Sequence, residues 1–121
     1  MNKPYKLQDR LCRTSKFFDF NDKAVPSELF EIKSNAPDLT GFPYPLPSKK
    51  TDYSCCAVSG DVEWYGASNG LTRYDKNADR EDDIIMHFSA PRDLLDNNIK
   101  AVLADGNNVW VLTDTGVAYI E

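Results

Sequence analysis

Apolar and polar positions along this chain fall into short runs that recur. Residues 109–121, VWVLTDTGVAYIE, read as two short strands, 109–112 and 117–120, joined by a tight turn through Asp114, Thr115 and Gly116. Residues 63–75, EWYGASNGLTRYD, carry the same pattern. Aligning Trp64 with Trp110 also aligns Gly70 with Gly116 and Gly60 with Gly106, an offset of 46 residues without a gap. From residue 53 the pattern predicts a strand at 55–58, a glycine turn at 59–61 and a strand at 62–66. A hairpin turn at 67–70 with its Asn69-Gly70 pair, a strand at 71–74, a charged loop at 75–82 and a strand at 83–89 complete a four-stranded antiparallel meander. After a connector at 90–98 the cycle restarts with strands at 99–104, 109–113 and 117–120. The fourth strand of this second cycle is missing.

The first 50 residues do not show the repeat. Phe17, Phe18 and Phe20 form a small apolar patch. Residues 28–33, ELFEIK, alternate apolar and charged side chains; a short strand is preferred, although Pro26-Ser27-Glu28 is also a helix start. Pro43, Pro45 and Pro47 hold the next stretch extended and keep it out of any central strand. Phe42, Tyr44 and Leu46 alternate with them and suit an apolar surface better than a recognition-domain ligand.

Val109, Trp110, Val111 and Leu112 are apolar on both faces, and Tyr65 is large opposite Val62 and Trp64. Such strands need cover on two sides. Face-to-face blades supply it, whereas a two-layer sandwich leaves one side polar. With a repeat of propeller-blade length, the expected fold is all-β: an incomplete β-propeller of about two four-stranded antiparallel blades with an irregular N-terminal extension. The extension spans 1–50 and the repeats 51–121, with one full blade at 53–89 and one partial blade at 99–121. Residues 105–117, DGNNVWVLTDTGV, and 59–74, SGDVEWYGASNGLTRY, with the lead-in 94–99, resemble the two-component-regulator propeller repeat. The resemblance covers about residues 54–121 and departs at Cys55-Cys56, Glu63 and Val111-Leu112. It implies a ligand-sensing module of bacterial sensor proteins, often for glycans, or an accessory module fused to other domains.

Four blades at this spacing need about 184 residues, more than the 121 present. The chain is therefore expected to be a piece of a larger protein or to self-associate through its blade faces or the open C-terminal strand edge. Alternatively, the extension caps it, with an N-terminal strand pairing with 117–120.

Composition adds exclusions. A net charge of −5 argues against a nucleic-acid partner. The N-terminus lacks a secretory signal and no run approaches membrane-spanning length, so the chain as given reads as cytoplasmic, or extracytoplasmic if a leader has been removed. Cys12, Cys55 and Cys56 read as unpaired thiols of a reducing compartment, the adjacent pair on opposite faces of one strand. Asp75, Asn77, Asp79, Glu81 and Asp83 resemble the start of a calcium loop, but Arg80 and Met86 stand where glycine and glutamate are needed. The single histidine, His87, has no catalytic or metal-ligating partner at motif spacing. No catalytic residue, cofactor or metal is expected, and no enzyme. The reading is a non-catalytic ligand-sensing or interaction module contacting a partner, such as a small glycan, through Ser68, Asn69, Asp114 and Thr115. The alternative is an accessory domain of a glycan-acting hydrolase or lyase.

Overall fold

Strand-forming runs dominate the computed structural model, which describes residues 13–121. Cys12 lies outside them. The strands are β1 (Ser15–Phe18), β2 (Cys55–Ser59), β3 (Val62–Ala67), β4 (Gly70–Asp75), β5 (Ile85–Phe88), β6 (Ile99–Asp105), β7 (Asn108–Thr113) and β8 (Val117–Ile120). They form two four-stranded antiparallel sheets, ordered β2-β3-β4-β5 and β1-β8-β7-β6. The first is a continuous meander. The second is split: its outer strand β1 pairs with β8 from Ser15 opposite Ile120 to Phe18 opposite Val117. The fourth strand absent from the second cycle therefore comes from the N-terminal extension. It covers the edge of β8 and itself becomes the outer strand of the sheet.

The two sheets meet through an apolar seam. Cys55, Val62, Trp64, Leu71 and Phe88 of the continuous sheet pack with Ile99, Val102, Val109, Val111, Ala118 and Ile120 of the split sheet. Full burial of each such large side chain is worth roughly 1.5–3 kcal/mol. The closest approach is at Gly66, where a Cβ would lie 2.5 Å from Ile99 Cγ2 and 2.6 Å from Cys55 Sγ.

Alternation along the strands fixes which residues enter the seam. Trp64 is fully buried in it, whereas the aligned Trp110 lies on the opposite side of its own sheet, against Phe18 and Tyr119 at 5.4 and 4.4 Å between ring centroids. The aligned pairs Cys55/Ala101 and Leu71/Val117 divide in the same way. One repeat thus presents its tryptophan face to the other repeat's opposite face, a head-to-tail relation.

Each sheet has a second apolar face, and the N-terminal extension covers both. Val25, Leu29 and Ile32 lie on Ala101, Val117 and Trp110 of the split sheet. Leu39, Phe42 and Leu46 lie with Tyr53 on Tyr65 and Tyr74 of the continuous sheet. The proline-spaced stretch thus lies along an apolar surface as its pattern predicts, with Tyr44 half out of it. Residues 28–33 differ from the strand preferred for them. Glu28–Glu31 is a helical turn with Leu29 N–H donating to Pro26 O (3.1 Å) and Phe30 N–H to Ser27 O (3.0 Å). The turn brings Leu29 and Ile32, three residues apart, onto one side and leaves Phe30 exposed. Between the two covering segments, Asn35 bonds the free edge of β2: its Nδ2 donates to Cys56 O (2.9 Å) and its Oδ1 accepts from Cys56 N–H (3.3 Å).

The strand expected to begin at Asp83 begins at Ile85, because Glu81–Ile84 is also a helical turn. No helix among the described residues is long and apolar enough to cross a membrane.

Candidate functional site

Two equivalent turns, 59–62 and 105–108, bring the ends of the sheets together. Gly60 and Gly106 sit at their corners with φ of +60° and +59°, a conformation other L-residues rarely adopt. Neither would meet any atom through an added Cβ, so the glycines serve the chain reversal and not close packing. Between the turns lies a cleft of about 530 Å³ whose lining includes Arg13, Gly60, Asp61, Arg73, Asp75 and Asn107.

Strand pairing delivers both arginines to this cleft. Arg73 stands opposite Trp64 in the β3–β4 ladder, on the seam face, where alternation would otherwise put an apolar residue. Arg13 precedes β1 and reaches the same place only because β1 pairs with β8. Their guanidinium carbons lie 5.8 Å (Arg13) and 5.7 Å (Arg73) from the Trp64 ring centroid, both within cation–π range. Arg73 is paired with Asp75 at 3.5 Å and contacts Met86 Sδ. Arg13 Nη2 donates to Asn107 O at 3.3 Å. Burial holds the pKa of both arginines below the usual value, and for Arg13 the neighbouring charge of Arg73 adds to it; both stay protonated at neutral pH. Three N–H groups around the ring, Arg13 Nη1, Arg73 Nε and Trp64 Nε1, are buried and find no acceptor among the described residues. Buried donors without partners are uncommon enough to need a physical reason.

The turns expected to make contact lie at the other ends of the strands. Ser68 Oγ donates to both carboxylate oxygens of Asp52, at 3.0 and 2.8 Å, and Asn69 Oδ1 accepts from Ser48 Oγ. These contacts tie the segment that precedes β2, through Ser48 and Asp52, to the β3–β4 hairpin. Asp114 accepts from Asn98 Nδ2 at 2.7 Å and pairs with Lys100 at 3.3 Å, contacts that hold its carboxyl below the usual range. Thr115 N–H donates to Thr113 Oγ1 at 3.3 Å. No hydrogen bond or ion pair joins the two hairpins among the described residues.

Cys55 and Cys56 are free thiols on opposite faces of β2, as alternation predicts. Burial pushes the Cys55 thiol up to about 11, while Cys56 Sγ–H donates to Asn35 O at 3.2 Å. His87 lies in β5 with its ring against Gly70 and a buried Nδ1 that finds no partner among the described residues. No group of three or more His, Cys, Asp or Glu side chains converges as a metal site among the described residues. In the acidic stretch, Asp75 is engaged with Arg73 and with the Asn77 N–H.

Sequence reasoning missed the arginine cleft. The signals available were the aligned Gly60 and Gly106 turns and the charge at position 73 two residues after Leu71 on an apolar face. Nothing in the sequence linked Arg13 to either. No family model, no curated protein and no solved structure matches this chain.

Proposed function

We propose that this chain is a non-catalytic β-propeller-type segment of two blades that binds a ligand in the cleft between its aligned turns. The cleft, lined by two arginines that each carry a buried N–H without an acceptor among the described residues, carries the binding reading. The head-to-tail seam supports the propeller reading. A pseudo-twofold sandwich would pack equivalent faces on each other, whereas successive blades pack unlike faces, as Trp64 and Trp110 do here. The resemblance of residues 54–121 to the two-component-regulator propeller repeat points the same way and motivates glycans as ligands to test. Association between copies through the blade faces belongs to the same proposal and requires residues 19–53 to move aside.

A thermal-shift screen of neutral and acidic oligosaccharides, run beside an Asn107→Trp variant whose indole fills the cleft, tests the binding reading. The expected result is a melting-temperature rise with at least one ligand in the native chain and none in the variant. Equal rises in both proteins, or none with any ligand, sink it.

A further inference from the structure

We infer that the cleft recognises an oxyanion, a carboxylate, sulfate or phosphate group seated between Arg13 and Arg73. This rests on the cleft being the binding site. Of the N–H groups left without a partner among the described residues, Arg13 Nη1 and Arg73 Nε belong to residues that line the cleft, whereas Trp64 Nε1 lies behind them in the seam. A ligand group that only accepts hydrogen bonds suits the two guanidinium groups of the lining without bringing donors of its own. A neutral sugar hydroxyl brings a donor with every acceptor. Charge points the same way. Asp75 pairs with Arg73 and accepts from the Asn77 N–H; its charge also acts on Arg13, but no carboxylate among the described residues forms an ion pair with Arg13. Asp61 stands on the exposed rim, where water screens it. Two adjacent, half-buried guanidinium groups repel each other, and an oxyanion between them removes that repulsion while meeting both with charge-assisted, forked hydrogen bonds.

Nitrogen-15 NMR of the full chain reads this directly. Sodium phosphate, sodium sulfate and sodium glucuronate are titrated separately, with sodium chloride at matched ionic strength as the reference. The expected result is a saturable shift of the Trp64 indole and Arg73 Nε–H resonances with at least one oxyanion, with the Trp110 indole unmoved. Which salt acts separates carboxylate from tetrahedral sources. Arg13→Gln weakens binding about tenfold or more, and Arg13→Lys, which keeps the charge but loses the fork, falls between. Retained dispersion of the variants' spectra establishes that they are folded. Shifts equal to those in chloride, or binding that Arg13→Gln leaves unchanged, overturn the inference. If a neutral oligosaccharide moves the same resonances and oxyanions do not, the oxyanion assignment fails while the cleft stands as the binding site. If nothing moves them and the oligosaccharide screen is also silent, both readings fail.

Discussion

The two sheets are built from aligned repeats, yet they are assembled and buried differently. The continuous sheet runs through 55–88 without a break, and its tryptophan goes into the seam. The split sheet takes one strand from before the continuous sheet's sequence and three from after it, and its tryptophan faces away, under the N-terminal extension. The same local pattern of apolar residues thus serves an internal interface in one repeat and a capped surface in the other. Strand pattern decides that a residue is buried; the neighbour that buries it is decided by the order of the sheets.

That contrast yields measurable differences. Trp64→Ala should cost about 3–5 kcal/mol in urea unfolding, because a cavity opens in the seam between both sheets. Trp110→Ala, at the half-buried equivalent position, should cost less than half as much. Equal costs would mean that the two tryptophans are not in different environments. Leu29→Ala, under the split sheet, should cost about 2–5 kcal/mol and should also raise the solution mass by light scattering, as the capped blade face opens to other copies. Destabilisation with an unchanged mass would leave the helical turn as cover for this face and remove the case for association through it.

Smaller effects sharpen the seam itself. Gly66→Ala should cost about 1–3 kcal/mol by overpacking against Ile99 and Cys55. Combined with Ile99→Ala it should be less harmful than in the native background, by a coupling of about 0.5–3 kcal/mol; strict additivity would deny the close approach. The smallest effect is on pH dependence. The folded Cys55 thiol, raised by burial to about 11 from an ordinary 9.0, keeps its proton where the unfolded chain has lost it. The folded state then binds more protons, so stability falls as pH rises from about 9 to about 11. Cys55→Ser should flatten that slope in unfolding experiments run across the window; an unchanged slope would place its origin elsewhere.

Much of the fold was legible because it is local. The 46-residue offset, the glycines at 60 and 106 and the Asn69-Gly70 hairpin locate most strand ends to within a residue. Phe42 and Leu46, alternating with prolines, announced a segment that lies on a surface. What escaped depends on distant partners. Residues 28–31 alternate like a strand, but the face available to them over Ala101 and Val117 accepts Leu29 and Ile32 from one helical turn. Ser68 and Asn69 look free on a turn, yet Asp52 and Ser48 engage them. Arg13 reaches Trp64 only through a pairing of strands about a hundred residues apart, and no periodicity records that.

That pairing also sets an order of events in the cell. At a translation rate of roughly 5–20 residues per second, β1 leaves the ribosome roughly 5–20 s before β8, its partner in the sheet. During that interval the continuous sheet can form, but Trp64, Leu71 and Phe88 face no partner, and Phe17 and Phe18 belong to no sheet. Unpaired apolar surface therefore persists until residues 117–120 have left the ribosome, and chaperone occupancy on nascent chains should fall when that strand emerges.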